Sequence, residues 1–476
     1  MTTFKEAVLN TEVSTVTENG MKTLESSLNK NIDLFYTIGA SRGKDITKAF
    51  EAAYLEDREI ALRIIQWARD VRGGAGERQL FRDCLLFLEA NYKTEFFDTK
   101  LIANVAEIGR WDDLLVFKTD FVKSIAYKAI TEALWAENGL CAKWMPRKGP
   151  VAVALREFMG LSPKEYRKRL VRLTNVVENK MCANEWSDIN FSHVPSVAMS
   201  RYTKAFARQA QTEFSAYKDA LSSGDPSVKI NAAAVYPYDV VNIIRHGDEQ
   251  IADAMWNALP NFMGNSSVLP LVDVSGSMDS KVSPSSNITA MDVAVSLGLY
   301  CSDKNAGPFK DLFLTFTSNP TFVHLKGSLS AKVRQMISAD WGGSTDVIAA
   351  FAEILRVSIA NNVSQEDMPK TLLILSDMQF NQCISFGRWT YGDKAHGPSA
   401  MESVREQYEA AGYSVPNIVF WNLRSSDGVP VRFDESGAAL VSGFSPSIMK
   451  SILANEDGIT PLSVMYSAIN STRYDL

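Results

Sequence analysis

The chain has 476 residues, 46% of them hydrophobic and 22% charged, with a net charge of −6. That length exceeds a single hydrophobic core, so two or more domains are expected. No run of about 18 uninterrupted apolar residues occurs, which excludes a membrane-spanning helix and any membrane partner that needs one.

The five cysteines, Cys84, Cys141, Cys182, Cys301 and Cys383, are odd in number and far apart. This argues against a disulfide framework or a zinc cluster and for a reducing compartment, with the cytoplasm as the simplest address. The first residues carry the charged pair Lys5-Glu6 where a signal peptide needs an apolar core. Charges balance through residue 262, and the remainder holds the whole net −6. An acidic half suits a cation, while a neutral half with local basic patches suits a polyanion.

In chain order, residues 1–20 lack an apolar period and read as a flexible lead-in. Residues 21–262 are almost entirely helical in pattern. Ile46, Ala49, Phe50, Ala53 and Tyr54 begin an apolar stripe that Ile60, Ile64, Ile65 and Ala68 continue. A Gly-rich turn at 73–76 follows, then a helix with Leu80, Phe81, Cys84, Leu85 and Leu88 on its inner face. Further helices are expected at 101–108, 112–117, 121–135, 151–158, 163–177 and 197–221. Paired helices on short turns suggest a degenerate α-helical repeat of the HEAT-like kind, with one compact bundle as the alternative.

The turn Gly73-Gly74-Ala75-Gly76 lacks the Lys-Ser/Thr of a phosphate-binding loop and does not follow a strand, so it reads as an interhelical turn. The densest basic stretch runs from Ser162 to Leu173, with a Ser cap and Pro at the first helical position. There Lys164, Arg167, Lys168, Arg169 and Arg172 form a basic row, with Tyr166 on the same helix. Arg201, Lys204 and Arg208 repeat the spacing later. Such rows can track a phosphate backbone; the plainer reading is a solvated outer face.

From residue 263 the pattern alternates strands (268–273, 311–316, 321–325, 371–376, 417–423) with helices (289–302, 329–338, 345–360, 399–411, 445–454, 461–470). Alternation of this kind implies a mostly parallel, doubly wound, Rossmann-like sheet over 263–476. The overall class is multidomain α + α/β. The strand ending at Val272 runs into Asp273-Val-Ser275-Gly-Ser277, one carboxylate and two hydroxyls on a tight turn. Trp341-Gly-Gly-Ser344-Thr345-Asp346 and the strand end Ser376-Asp377 add more oxygens. Oxygen donors gathered beyond strand ends suit a hard divalent cation such as Mg²⁺. His193, His246, His324 and His396 are scattered, and no nucleophile–base order or carboxylate pair for acid–base work emerges, so no enzyme activity is expected.

The order DxSxS, GGSTD and a strand ending in SD resembles the metal-ion-dependent adhesion site of von Willebrand factor A domains. The resemblance implies Asp273, Ser275, Ser277, Thr345 and Asp377 as metal-site positions, with a partner's carboxylate completing the coordination of the ion. The stretches RGGAGERQLF (72–81), GRWDDL (109–114), SPKEYRKRL (162–170), VVENKMCANEW (176–186), VPSVAM (194–199), LPLVDVSGSM (269–278) and LILSDMQF (373–380) resemble an uncharacterised family, domain of unknown function 2828. Its layout is similar to that of the Ro autoantigen, or TROVE-module, proteins, which form a ring of helical repeats closed by an A domain. That likeness implies a ribonucleoprotein scaffold for small or misfolded RNA on the helical half. The alternative is a metal-dependent module that binds a protein partner.

Overall fold

The computed structural model describes residues 14–18, 22–245, 248–284, 286–339, 345–380, 400–424 and 428–476. Residues 1–13 and 19–20 of the expected lead-in over 1–20, the turn residues 341–344 and most of the loop at 378–398 lie outside them. So do His246, His396 and Cys383.

Among the described residues the chain is helical from Lys30–Ile38 to Glu249–Ala258 and then alternates strands with helices, an α half followed by an α/β half. Among the described residues the second half carries six strands: β3 (Val268–Val272), β4 (Leu312–Thr315), β5 (Phe322–His324), β6 (Thr371–Ser376), β7 (Asn417–Asn422) and β8 (Ala438–Ser442). Their order is β5-β4-β3-β6-β7-β8, parallel throughout except for the antiparallel β4–β5 pair. The middle strands β3 and β6 are buried along their whole length, which is why both read as unbroken apolar runs rather than alternating ones. Strand β8, Ala-Ala-Leu-Val-Ser, was not expected. Its five buried residues are recognisable as a strand only through their pairing with β7.

A short ribbon, β1 (Ser14–Val16) paired antiparallel with β2 (Lys22–Leu24), lies over the described part of the expected lead-in and just beyond it. The ribbon is fixed from outside itself, since Leu24 and Val429 exchange backbone hydrogen bonds of 3.0 and 2.7 Å. Two expected helices break. The one drawn over 163–177 ends at Thr174, whose extended backbone (φ −88°, ψ 107°) stops it, and a new helix begins at Val177. The one drawn over 197–221 breaks at buried Ala210, and the break lets Phe206 and Phe214, 5.6 Å apart, both pack on Phe191.

The two halves share one continuous apolar core. Helix Lys30–Ile38 lies on β8: Ser442 Oγ donates to Phe35 O at 2.9 Å and accepts from Gly39 N at 3.0 Å. At the other end of the chain Arg473 Nε bonds Asp70 Oδ2 at 2.8 Å, and Gln66 Nε2 donates to Tyr474 O at 3.0 Å. Among the described residues no helix is long and apolar enough to cross a membrane.

Candidate cation site at the carboxyl ends of β3 and β6

After β3 the chain crosses to β4 on one side, and it returns to β6 on the other, so a switch of direction lies between β3 and β6. Crevices at such points are where open parallel sheets gather ligand-binding loops. Val272 pairs with Leu375, and Asp273 N–H continues the ladder to Leu375 O at 3.0 Å. Asp273 and Asp377 therefore leave the sheet side by side.

The turn after β3 is held by its own side chains. Asp273 Oδ1 accepts from Ser275 N at 2.9 Å, and Ser275 Oγ lies 3.1 Å from Ser277 Oγ. A short 3₁₀ turn, Gly276–Asp279, then carries the chain away. Across the strands, Ser376 Oγ donates to Asp273 Oδ2. Thr345, buried, sits just before helix Val347–Ala360 and donates its Oγ1 to Gln379 O at 3.1 Å, on the segment that follows Asp377. Asp273, Ser275, Ser277 and Asp377 thus share one crevice, and Thr345 reaches the same loop. In that loop Met378 holds φ at +64°, a left-handed conformation that costs a non-glycine residue about 1–3 kcal/mol.

Among the described residues the crevice is short of positive charge. Asp273 is 0% exposed and Asp377 1%. Burial pushes the Asp273 carboxyl up to about 6, the Asp377 charge adds to the rise, and hydrogen bonds from Ser376 and Ser275 oppose it. Burial also raises Asp377, against the Ser277 hydroxyl, the Gln379 amide and Arg424. Asp377 Oδ2 is buried with no hydrogen-bond partner among the described residues. Its nearest ion-pair partner there, Arg424 Nη1, is 3.9 Å away on a side chain 42% exposed. Two buried carboxylates, one with an orphaned oxygen, beside clustered hydroxyls form an oxygen donor set that fits a hard divalent cation. Among the described residues no group of three or more His, Cys, Asp or Glu side chains gathers, so any ion here relies on hydroxyls and water as well as the two carboxylates.

Sequence reasoning passed over Arg424 and Gln379 as neighbours of the site. Arg424 follows β7, the next parallel strand beyond β6, so strand order alone would have brought it to this edge.

The basic residues fall on two surfaces. Helix Pro163–Leu173 buries Tyr166 and Leu170, with a capping box between Ser162 and Glu165. Tyr166 is therefore unavailable to a ligand, and its hydroxyl bonds Pro146 O at 3.1 Å. Lys164, Arg167 and Lys168 are exposed and make no ion pair among the described residues. Arg169 is turned aside: its guanidinium lies 3.7 Å over the Trp135 ring and Nη1 donates to Leu134 O at 3.2 Å. Arg172 pairs with Glu137 at 2.6 Å. Arg201, Lys204 and Arg208 are exposed on helix Ser196–Gln209. Several other arginines of the first half are bound internally. Asp113, fully buried, receives Arg69, Arg78 and Arg82 within 3.4 Å, which fixes the Gly-rich turn and the GRWDDL stretch as a structural brace.

Two family models match the chain. One, described as Domain of unknown function (DUF2828), covers residues 17–115 and 119–266. The other, described as Domain of unknown function (DUF7788), covers 267–466 and so contains the crevice. A relative, Uncharacterized protein L728 of Acanthamoeba polyphaga mimivirus, is 30% identical over 511 residues, spanning 94% of this chain and 86% of its own length.

Proposed function

The chain belongs to the family described as Domain of unknown function (DUF2828), and we propose that it is a non-catalytic binding scaffold whose second half holds a divalent cation at Asp273, Ser275, Ser277, Thr345 and Asp377. The observation that carries this reading is the buried Asp377 Oδ2, without a hydrogen-bond partner among the described residues, beside the buried Asp273 carboxylate. Two adjacent buried carboxylates without a cation are costly, and a divalent ion removes that cost. In this reading the second half is a von Willebrand A domain with a metal-ion-dependent adhesion site. The first half is a HEAT-like helical array, and the protein works in the cytoplasm. Asp273 and Asp377 anchor the ion, the hydroxyls of Ser275, Ser277 and Thr345 contribute directly or through water, and Ser376 orients Asp273. A bound Mg²⁺ would supply a Lewis-acidic centre with a position open to a partner's carboxylate.

The test is a melting curve with and without Mg²⁺. A rise in Tm that a chelator reverses, and that Asp377→Asn removes, supports the site. The same Tm with and without the ion contradicts it.

A second reading, an RNA scaffold laid out like the Ro ribonucleoproteins, is favoured by one specific observation. Lys164, Arg167 and Lys168 are exposed and make no ion pair among the described residues, all on one helix, beside Val171, itself 61% exposed. Three free cations in a row recruit a phosphate backbone without base specificity. Crosslinking in cells followed by sequencing of the recovered RNA tests it. A discrete small or misfolded RNA, lost when the three residues become Glu, supports this reading, and background RNA from both proteins contradicts it.

A further inference from the structure

The basic row on helix Pro163–Leu173 lies against the end of helix Asp120–Trp135. Leu134 O accepts from Arg169 Nη1 at 3.2 Å, and Glu137 pairs with Arg172 at 2.6 Å. A Cβ on Gly139 would stand 2.9 Å from Leu173 O. These contacts set Trp135, the last residue of its helix, beside Arg169, whose helix neighbours Lys168 and Arg172 are exposed.

Trp135 is 50% exposed. Among the described residues its only ring contact is the Arg169 guanidinium, 3.7 Å from the ring centre. The bond to Leu134 O fixes that guanidinium, so the ring is held from one face. With that face covered and half of the residue still in solvent, aromatic surface remains open beside the cations. Arg172 is held only by an exposed ion pair, 61% accessible on both sides, which a phosphate can replace at little cost. Glu165 on the same helix is committed to the Ser162 amide at 2.9 Å.

An open ring beside a row of cations is how single-stranded nucleic acid is held: the backbone follows the charges and a base stacks on the ring. A duplex gains nothing from the ring, because its bases already stack on one another. The exposed cations Lys164, Arg167 and Lys168 favour a polyanion here over an apolar protein surface.

We propose that Trp135 is a base-stacking platform: an unpaired nucleobase of single-stranded RNA lies on its open face while the cations of the neighbouring helix hold the flanking phosphates. The inference rests on the RNA reading above and deepens it. Charge alone retains any phosphate backbone, whereas the ring makes this surface select unpaired RNA of any sequence.

The probes are a short oligouridylate and an abasic strand of the same length, titrated into the full chain at low salt. The readout is the ratio of the two affinities. Wild type should bind the oligouridylate about tenfold tighter than the abasic strand. Trp135→Leu should bring the ratio close to one, and Trp135→Phe, which keeps an aromatic face, should hold it at about threefold. Damage to the fold would lower both affinities together and leave the ratio unchanged. A wild-type ratio near one, or a Trp135→Leu ratio equal to that of wild type, overturns the inference while the phosphate-binding surface stands. If the wild-type chain binds neither strand, the RNA reading falls and this inference with it, which leaves a protein as the occupant of this face.

Discussion

Ser376 Oγ donates its hydrogen to Asp273 Oδ2, tying the ends of two neighbouring parallel strands together at a carboxylate that is wholly buried. The bond aims Asp273 and leaves its other oxygen to the Ser275 amide. Ser376→Ala should therefore cost stability by about 1–3 kcal/mol, the penalty of leaving a buried charged group short of one donor. Chemical denaturation at neutral pH measures it. A loss below a few tenths of a kcal/mol would mean the crevice rearranges freely.

Asp113 gives the clearest pH dependence. Burial alone would raise its carboxyl, but Arg69, the Arg110 amide and Arg82 outweigh burial and hold it below its ordinary 3.8. A depressed carboxylate stabilises the folded state fully above its unfolded value and loses that contribution as pH falls through the folded one. The stability difference between wild type and Asp113→Asn should be constant above about pH 4 and shrink below it. At neutral pH it should reach about 3–5 kcal/mol, because the variant strands buried guanidinium groups. A difference that grows on acidification would contradict this.

Gly39 closes the helix that seats on β8, and a Cβ there would stand 2.7 Å from Ser442 O and Gly443 N. Backbone cannot yield as a flexible side chain does, so Gly39→Ala should destabilise by about 1–3 kcal/mol. Gly458→Ala, where a Cβ meets nothing within 4 Å, is the control and should be near neutral. Equal melting temperatures for the two variants would show that the contact between the halves is loose.

For the helical surface, RNA affinity should fall as salt rises, and removing Lys164, Arg167 and Lys168 should lower the slope of log K against log salt by about 2 units. Filter binding at several salt concentrations reads this. An unchanged slope would place any RNA on another surface, with Arg201, Lys204 and Arg208 next in line.

The parts of the fold legible in the sequence are those carried by local pattern. β3 and β6 stand out as apolar runs ending in Asp273 and Ser376-Asp377, and most helices fall within a few residues of their expected bounds. What escaped is set by distant contacts. Nothing near residues 14–24 announces a strand, because its bonds go to Phe380, Gln379 and Val429. Ala210, a strong helix former, breaks a helix because Phe206 and Phe214 both pack on Phe191. The basic row at 163–173 was visible, but not that Trp135 and Glu137 engage Arg169 and Arg172.

The cation site is the central claim, and calorimetric titration of Mg²⁺ into the intact chain tests it most directly. The account predicts one ion per chain, with affinity lowered at least tenfold in both Asp273→Asn and Asp377→Asn, each checked for an unchanged fold. A folded wild-type protein that takes up no divalent ion, or variants that bind it as tightly as wild type, would contradict it.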